Sequence, residues 1–325
     1  MRSRNSFVIG TRGSALALKQ AEYIAALVRN LRPQLEVEIQ VVKTTGDKIL
    51  DVALSKFDSK GLFTKELEIK LLDEEIDCCV HSMKDVPSLL PEGLEIACIP
   101  LREDVRDVLV SYNHEAQSIM ELKEGARVGT GSLRRRAQLR ALRPDLNLVE
   151  LRGNLDTRLA KVEQGELDAA ILAAAGIRRM GWTSRISAYL DLDEMLPAVG
   201  QAAIGVEIKS QDLFSATILE QFNHKSSFRS VMAERIVMKE LEGGCQAPLA
   251  VFARVLPDDK TMRIDAKVLS LDGKQVLRSE ISGNKKEYEQ LAYTVVDELR
   301  TQGVSKLLQE QRDILSRQSQ GQVIF

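Results

Sequence analysis

The stretch ARVGTGSLRRRAQLRALRPDL carries six arginines in a 325-residue chain whose formal net charge is −2. Ser132 followed by a helical pattern reads as a helix N-cap. Arg134, Arg135 and Arg136 therefore fall in the first turn, where the positive end of the helix dipole disfavours cations. Such a cluster needs a negative partner. Guanidinium groups present a planar fork that suits a carboxylate or phosphate, and more of them stand at related places: Arg12 in TRGS, Arg152 in ELRGN, Arg158 one turn into the next helix, and Arg178 and Arg179 after ILAAAGI. Each follows a segment that reads as a strand. Any one of them alone is an ordinary solvated arginine, but as a set they describe a pocket for a ligand with several negative groups. Each charge-assisted bond in such a pocket contributes about 1.5–3 kcal/mol. Arg136, Arg140 and Arg143 are assigned to the outer face.

Two further constellations could do chemistry. In VHSMKDVP an apolar strand runs into Ser82, Lys84 and Asp85 before Pro87 forces a turn. A partly buried Asp85 there can stabilise a cation or move a proton; the plain alternative is a surface pair of Asp85 with Lys84. His81 reads as a satisfied strand-end histidine. In LEGGCQAP, two glycines and a proline set Cys245 in an irregular loop, which makes it a candidate nucleophile or attachment site, although no neighbouring His or Asn activates it. Cys78, Cys79 and Cys98 lie in strand patterns without metal-type spacing. All four thiols are read as free, in a reducing compartment, and no metal site is expected.

The elements that must position these residues follow a cadence. FVIG is a short strand, and TRGS turns into a helix with Ala17, Ala21, Ile24, Val28 and Leu31 inward, stopped at Pro33. EVEIQVVKT alternates as a strand, a helix carries Phe63, Leu67 and Leu71 on one face, and IDCCVHS is the next strand. The pattern then recurs: a strand at ARVGT, a helix from Ser132, a strand at LNLVELRG, a helix from about Asn154, a strand at LDAAILAA. VIGTRGSALALKQ and RVGTGSLRRRAQ even share their wording, with Gly13–Ser14 and Gly131–Ser132 both placed to offer backbone N–H groups to an anion. Alternating strands and helices imply parallel sheets with ligands at the strands' carboxyl ends. Two similar α/β lobes are expected, joined through residues 102–108 and by a return segment near LPAVGQAAIGVEI. Beyond them, LAVFARV, MRIDAKVLS and QVLRSEIS predict a three-stranded antiparallel sheet in a separate α+β domain. The expected boundaries are 1–102 with 203–220 for the first lobe, 103–202 for the second, and 221–325 for the third domain.

Composition narrows the function classes. At 44% hydrophobic and 28% charged residues the chain is of the globular kind. Its charge balance and low aromatic content argue against nucleic acid as a partner. With no apolar leader and no run of eighteen apolar residues, neither secretion nor a membrane span is expected. Residues alone leave three readings: an enzyme acting on a polyanionic ligand, a non-catalytic two-lobed binding protein for a small dicarboxylate or oxyanion, and a cysteine-dependent acyl-transfer enzyme. The second leaves Cys245 and the third domain without a task, and the third lacks a histidine partner.

The segments TRGSALAL, TTGDKILDVALSKFDSKGLFTKELE, DCCVHSMKDVP, VGTGSLRRRAQL, LRGNLDTRL, LPAVGQAAIGVE and LEGGCQAPLAV, in that order, resemble the porphobilinogen deaminase (hydroxymethylbilane synthase) family over essentially the whole chain. The resemblance implies two lobes of the type II periplasmic-binding-protein kind plus an α+β domain. It implies a transferase that joins four porphobilinogen units head to tail, with loss of ammonia, into 1-hydroxymethylbilane for tetrapyrrole and haem biosynthesis. A dipyrromethane cofactor attached to Cys245 by a thioether is implied as primer, with Ser82, Lys84, Asp85, Thr130, Ser132, Arg134, Arg135 and Arg158 around it. Asp85 is implied as the catalytic carboxylate. Arg12, Ser14, Arg152, Arg158, Arg179 and Gln201 are implied as substrate contacts, with Lys56 and Lys60 on a mobile loop. The pyrrole acetates and propionates are then the expected partners of the arginines, and a monomer in the cytoplasm is the expected state. The chain departs from the family pattern at Asp58–Ser59, where Gly-Gly is usual, at Gly131 (usually Ser), at Ala202 (usually Gly) and at Val8 (often basic).

Overall fold

The computed structural model describes residues 5–48, 61–241 and 247–319. In chain order the first part comprises β1 (Ser6–Thr11), α1 (Ala15–Leu31), β2 (Glu36–Val41), α2 (Thr45–Lys48), α3 (Lys65–Leu72), β3 (Cys78–Ser82) and β4 (Leu94–Cys98). Next come β5 (Asp107–Ser111), β6 (Arg127–Gly129), α4 (Leu133–Leu142), β7 (Asn147–Val149), α5 (Leu155–Glu163), β8 (Ala169–Ala173), α6 (Ala174–Arg179) and β9 (Ala188–Tyr189). The chain returns as β10 (Ile204–Lys209) and α7 (Leu213–Glu220). It closes with α8 (Lys225–Glu240), β11 (Leu249–Val255), β12 (Thr261–Leu269), β13 (Val276–Asn284), α9 (Tyr288–Thr301) and α10 (Val304–Ser319). Among the described residues no helix is long and apolar enough to cross a membrane.

The strands form three sheets, ordered β2-β1-β3-β10-β4, β7-β6-β8-β5-β9 and β11-β12-β13. The first two are one design used twice. In each, three parallel strands are followed by an antiparallel one, β10 or β5, and then by a strand antiparallel to that. The sheets are therefore mixed rather than wholly parallel as the alternation of strands and helices suggested. The repeated wording is repeated structure: Ser14 and Ser132 cap α1 and α4, each accepting a backbone N–H three residues on. The glycine of each G-T pair lies where a side chain has no room. A Cβ at Gly10 would stand 2.4 Å from Ile76 Cδ1, and one at Gly129 2.6 Å from Leu167 Cδ1.

Contacts divide the chain into two compact units, one built from the first part and Ala202–Phe228, the other from Asp104–Gln201 and the chain from Arg229 onward. In the first, the inner face of α1 packs Ala21, Ile24, Ala25 and Val28 on Phe7, Ile9, Cys78 and Val80, while Leu67, Leu71, Ile76 and Cys79 fill the other face. Cys78 and Cys79 thus point to opposite faces, as alternation in a strand requires. Phe63 precedes α3 instead of lying on it; its ring carries the Arg12 guanidinium, 4.1 Å from the centroid.

In the second unit the mixed sheet has Leu109, Val128, Leu139 and Ile171 on one face and Val108, Leu159, Val162 and Leu172 on the other. The antiparallel sheet alternates cleanly, Met262, Ile264, Ala266 and Val268 meeting Val295, Val296 and Leu299 of α9. The expected third domain keeps its own sheet and core but is stitched to the mixed sheet's side of this unit. Leu196 packs with Ala250 and Phe252, and Arg140 donates to Leu271 O at 2.6 Å. Arg140 and Arg143, expected on an outer face, are structural, since Arg143 also donates to the carbonyls of Ile119, Met120 and Leu122.

Candidate functional site

The first unit contains a recess at the carboxyl ends of β1 and β3. Arg12 and Ser14 come from the β1–α1 turn, Gln20 from the second turn of α1, and His81, Ser82 and Asp85 from the end of β3 and the 3-10 turn after it. Four of the residues singled out in the sequence, Arg12, Ser14, Ser82 and Asp85, therefore share one wall system. That turn is fixed by Met83 N–H donating to Ala203 O and Val86 N–H to Met83 O. Asp85 is exposed at the rim, not partly buried as expected, because the 3-10 turn buries Met83 and rotates Asp85 outward. Among the described residues its carboxylate makes no ion pair, so the surface pair with Lys84 does not form. The Gln20 amide, itself 2% exposed, donates to Ser82 Oγ at 2.8 Å. Gln20 was missed, yet a signal existed: Gln20 and Gln138 both stand six residues after a capping serine and both are buried.

The second unit holds the arginine pair, and the partner that the sequence could not name is Asp107, the first residue of β5. Asp107 is 0% exposed and Arg134 and Arg135 only 4% and 6%. Arg134 Nη2 donates to Asp107 Oδ2 at 2.8 Å, while Arg135 Nε and Nη2 reach Oδ1 at 3.2 and 2.7 Å. Further bonds run from Arg134 Nη1 to Leu196 O and from Arg135 Nη1 to Ile171 O. Burial pushes the Asp107 carboxyl up, but the charges of Arg134 and Arg135 and their hydrogen bonds outweigh it and hold it at about 2. The cations in the first turn of α4 are thus tolerated because a carboxylate of the same unit faces them, before any ligand is considered. The compensation is incomplete. Two guanidinium charges meet one carboxylate, and Arg134 Nε is buried with no acceptor among the described residues. Gln201 joins this cluster, donating to Val105 O at 2.7 Å and to Asp107 Oδ1 at 2.9 Å. It is 1% exposed, an internal strut rather than a lining residue.

Of the remaining described positions, Lys84 belongs to the first unit and the others to the second. Thr130 is buried and its Oγ1 accepts from Ser132 N–H at 3.2 Å. Arg152 pairs with Glu150 at 2.9 Å, and Arg158 Nε donates to Gly153 O at 2.8 Å. Arg179 closes α6 at its C-terminal end, where the helix dipole favours a cation. Lys84 is half-buried. Lys56, Lys60 and Cys245, with Asp58 and Ser59, lie outside the described residues. Of the departures from the family pattern, Val8 is core. A Cβ at Gly131 would lie 3.0 Å from Leu151 O. Ala202 occupies the left-handed region at φ 70°, where a glycine is unstrained.

Comparison with known proteins assigns the chain. A model described as porphobilinogen deaminase, dipyromethane cofactor binding domain, matches residues 7–217, and one described as porphobilinogen deaminase, C-terminal domain, matches residues 228–301. The porphobilinogen deaminase of Syntrophobacter fumaroxidans is 48% identical over 93% of this chain and 96% of its own. That of Syntrophomonas wolfei is 48% identical over 94% and 98%. Among solved structures, the periplasmic VFT2 domain of BvgS from Bordetella pertussis gives a TM-score of 0.41 at 18% identity, covering 67% of this chain and 86% of that one. With both domain models matched in order and relatives aligned almost end to end, the chain belongs to the porphobilinogen deaminase family.

Proposed function

We infer that this chain is the transferase that joins four porphobilinogen molecules head to tail, with loss of ammonia at each step, to give 1-hydroxymethylbilane. The observation that carries this is the ordered match of the cofactor-binding and C-terminal family models across 7–217 and 228–301. A bare two-lobed binding protein has no use for the second of these. The cofactor is dipyrromethane, for which Cys245 is the proposed point of attachment. When bound, that group supplies a tethered dipyrrole with a free ring end to be extended.

The residues present fit a polycarboxylate. The cluster of Arg134, Arg135 and Asp107 keeps one uncompensated positive charge and one idle donor, Arg134 Nε. Arg134 and Arg135, with Ser82, Lys84, Thr130, Ser132 and Arg158, are proposed to hold the primer's carboxylates. Arg12, Ser14, Arg152, Arg179 and Gln201, with Lys56 and Lys60, are proposed to serve the incoming substrate and lengthening chain. For Gln201 the burial found above restricts this to holding Asp107 and Arg134 in place.

Asp85 is proposed as the catalytic carboxylate. As the carbon–nitrogen bond of the aminomethyl group breaks, positive charge spreads to the pyrrole nitrogen of the substrate. A fixed carboxylate that accepts that N–H stabilises the developing azafulvene cation. Its lack of an ion pair among the described residues leaves its charge available for this. Arg12, stacked on Phe63, flanks it and can fix a substrate carboxylate beside the reacting ring, while Ser82, held by Gln20, is kept for the primer's carboxylates. The chain is proposed to act as a cytoplasmic monomer on this small molecule, with neither nucleic acid nor membrane as partner. The three-part division at 102/103, 202/203 and 220/221 is likewise proposed as the working domain organisation. Hydroxymethylbilane formation from porphobilinogen by the purified protein tests the function. Absence of that product from a chain of correct mass and fold would refute it.

A further inference from the structure

Given the transferase reading above, we infer that His81, held by Glu207, accepts the proton that leaves the pyrrole α-carbon after each new carbon–carbon bond is made. His81 Nε2 lies 2.8 Å from Glu207 Oε2, and the two side chains are 4% and 0% exposed. A carboxylate only accepts, so Nε2 carries the hydrogen and Nδ1 of the neutral ring keeps its lone pair. No described residue bonds Nδ1, and the ring forms part of the recess that also holds Asp85, Arg12, Gln20 and Ser82. The other carboxylate oxygen, Glu207 Oε1, is buried without a hydrogen-bond partner, so among the described residues His81 is the one group hydrogen-bonded to this carboxylate.

The second mixed sheet shows that the fold does not require this pair. Gly205 faces His81 and Glu207 faces Cys79 in the first sheet, and in the second the corresponding partners are Val108 with Leu172 and Val110 with Ala170. Where one sheet buries His81, Glu207 and Cys79, the other buries Leu172, Val110 and Ala170. A buried ionic pair is often no more stable than well-packed apolar residues, so its presence in one copy of a repeated design points to use. The charged and titratable groups around the ring are Glu207 from β10, Glu68 from α3, Cys79 from β3, Arg12 from the β1–α1 turn and Asp85 at the rim. Burial pushes the Glu68 carboxyl up, and burial pushes the Cys79 thiol well up while it donates to Leu67 O. The Cys79 thiol therefore keeps its own proton, and neither Cys79 nor Glu68 lines the recess.

The step balances. The substrate's carbon–nitrogen bond breaks with its electron pair leaving on ammonia, and π electrons of the attacking pyrrole α-carbon form the new carbon–carbon bond. The C–H bond at that carbon then breaks, its electron pair returning to the ring and its proton passing to His81 Nδ1. The imidazolium, stabilised by Glu207, releases the proton to solvent, where the ammonia takes it up.

The test uses primer-loaded protein, with loading verified by intact mass, and porphobilinogen deuterated at its free α-carbon. His81→Gln is expected to lower kcat by about 10²-fold or more, the usual scale of general-base loss, with KM within about 3-fold. It should also raise the deuterium isotope effect on kcat from near 1 to above about 2, since proton removal becomes rate-limiting. Glu207→Gln should show a smaller fall with the same isotope effect. The pair His81→Leu with Glu207→Val, copying the second sheet, should melt within about 3 °C of the parent when both carry Cys245→Ser. A kcat within 3-fold of the parent, a fall in kcat with no isotope effect, or a larger loss of melting temperature in the copied pair each overturns the inference. Normal product formation by the parent separates such a failure from a failure of the transferase reading.

Discussion

Replacing Asp107 by Asn keeps the shape of the buried side chain and removes its charge, leaving Arg134 and Arg135 facing each other. The wild-type carboxylate accepts four hydrogen bonds, three from the two guanidinium groups and one from Gln201. Breaking a buried ionic cluster by deleting one partner costs about 3–5 kcal/mol. The depressed carboxyl gives a second scale for the same interaction. A carboxyl held at about 2 against its ordinary 3.8 corresponds to about 2 kcal/mol of stabilisation. Because the folded-state value is depressed, that stabilisation is fully present above about pH 4 and is lost as the pH falls through about 2. Urea unfolding of Asp107→Asn and its parent, both in the Cys245→Ser background so that neither carries a primer, is expected to differ by about 3–5 kcal/mol at pH 7. The gap should narrow by about 2 kcal/mol on acidification toward pH 2. A gap under 1 kcal/mol at pH 7, or one indifferent to acid, would refute the claim that Asp107 is the internal counter-charge.

Asp85→Asn should retain fold and primer while lowering kcat by about 10²–10³-fold, the scale of losing one preorganised charge; near-normal turnover rules the role out. Ala202→Gly should stabilise the chain by about 0.5–1 kcal/mol, because relief of left-handed strain exceeds the entropy cost of glycine. Unchanged or lower stability in urea contradicts this. Gly129→Ala, which drives a methyl into Leu167 and Leu151, should cost about 1–3 kcal/mol, and a cost below 0.5 kcal/mol would show that the G-T turn tolerates a side chain.

The sequence made the repeat legible because its signals are local. Capping serines at 14 and 132, G-T turns and helical spacing mark each strand-to-helix transition, and the structure places the caps where they were read. The antiparallel strands β5 and β10 escaped the expectation of parallel sheets, since their direction depends on the chain passing from one lobe to the other. The arginine cluster was legible as a question only. Its answer, Asp107, stands 27 residues from Arg134 in an ordinary strand pattern, and no motif marks it. The same holds for Glu207, 126 residues from His81, which is why His81 reads as inert from its own surroundings. The turn chemistry of VHSMKDVP singles out Asp85 as a candidate, but its exposure depends on how Met83 packs, which the sequence does not show.

Everything assigned to the arginines and to Asp85 presumes a carboxylate-rich chain tethered at Cys245. Intact-mass measurement of the purified protein and of Cys245→Ser tests this directly. The parent should exceed its sequence mass by two substrate-derived pyrrole units and the variant should match its own sequence mass. An unmodified parent that is nevertheless fully active, or an excess that survives in Cys245→Ser, would contradict the account.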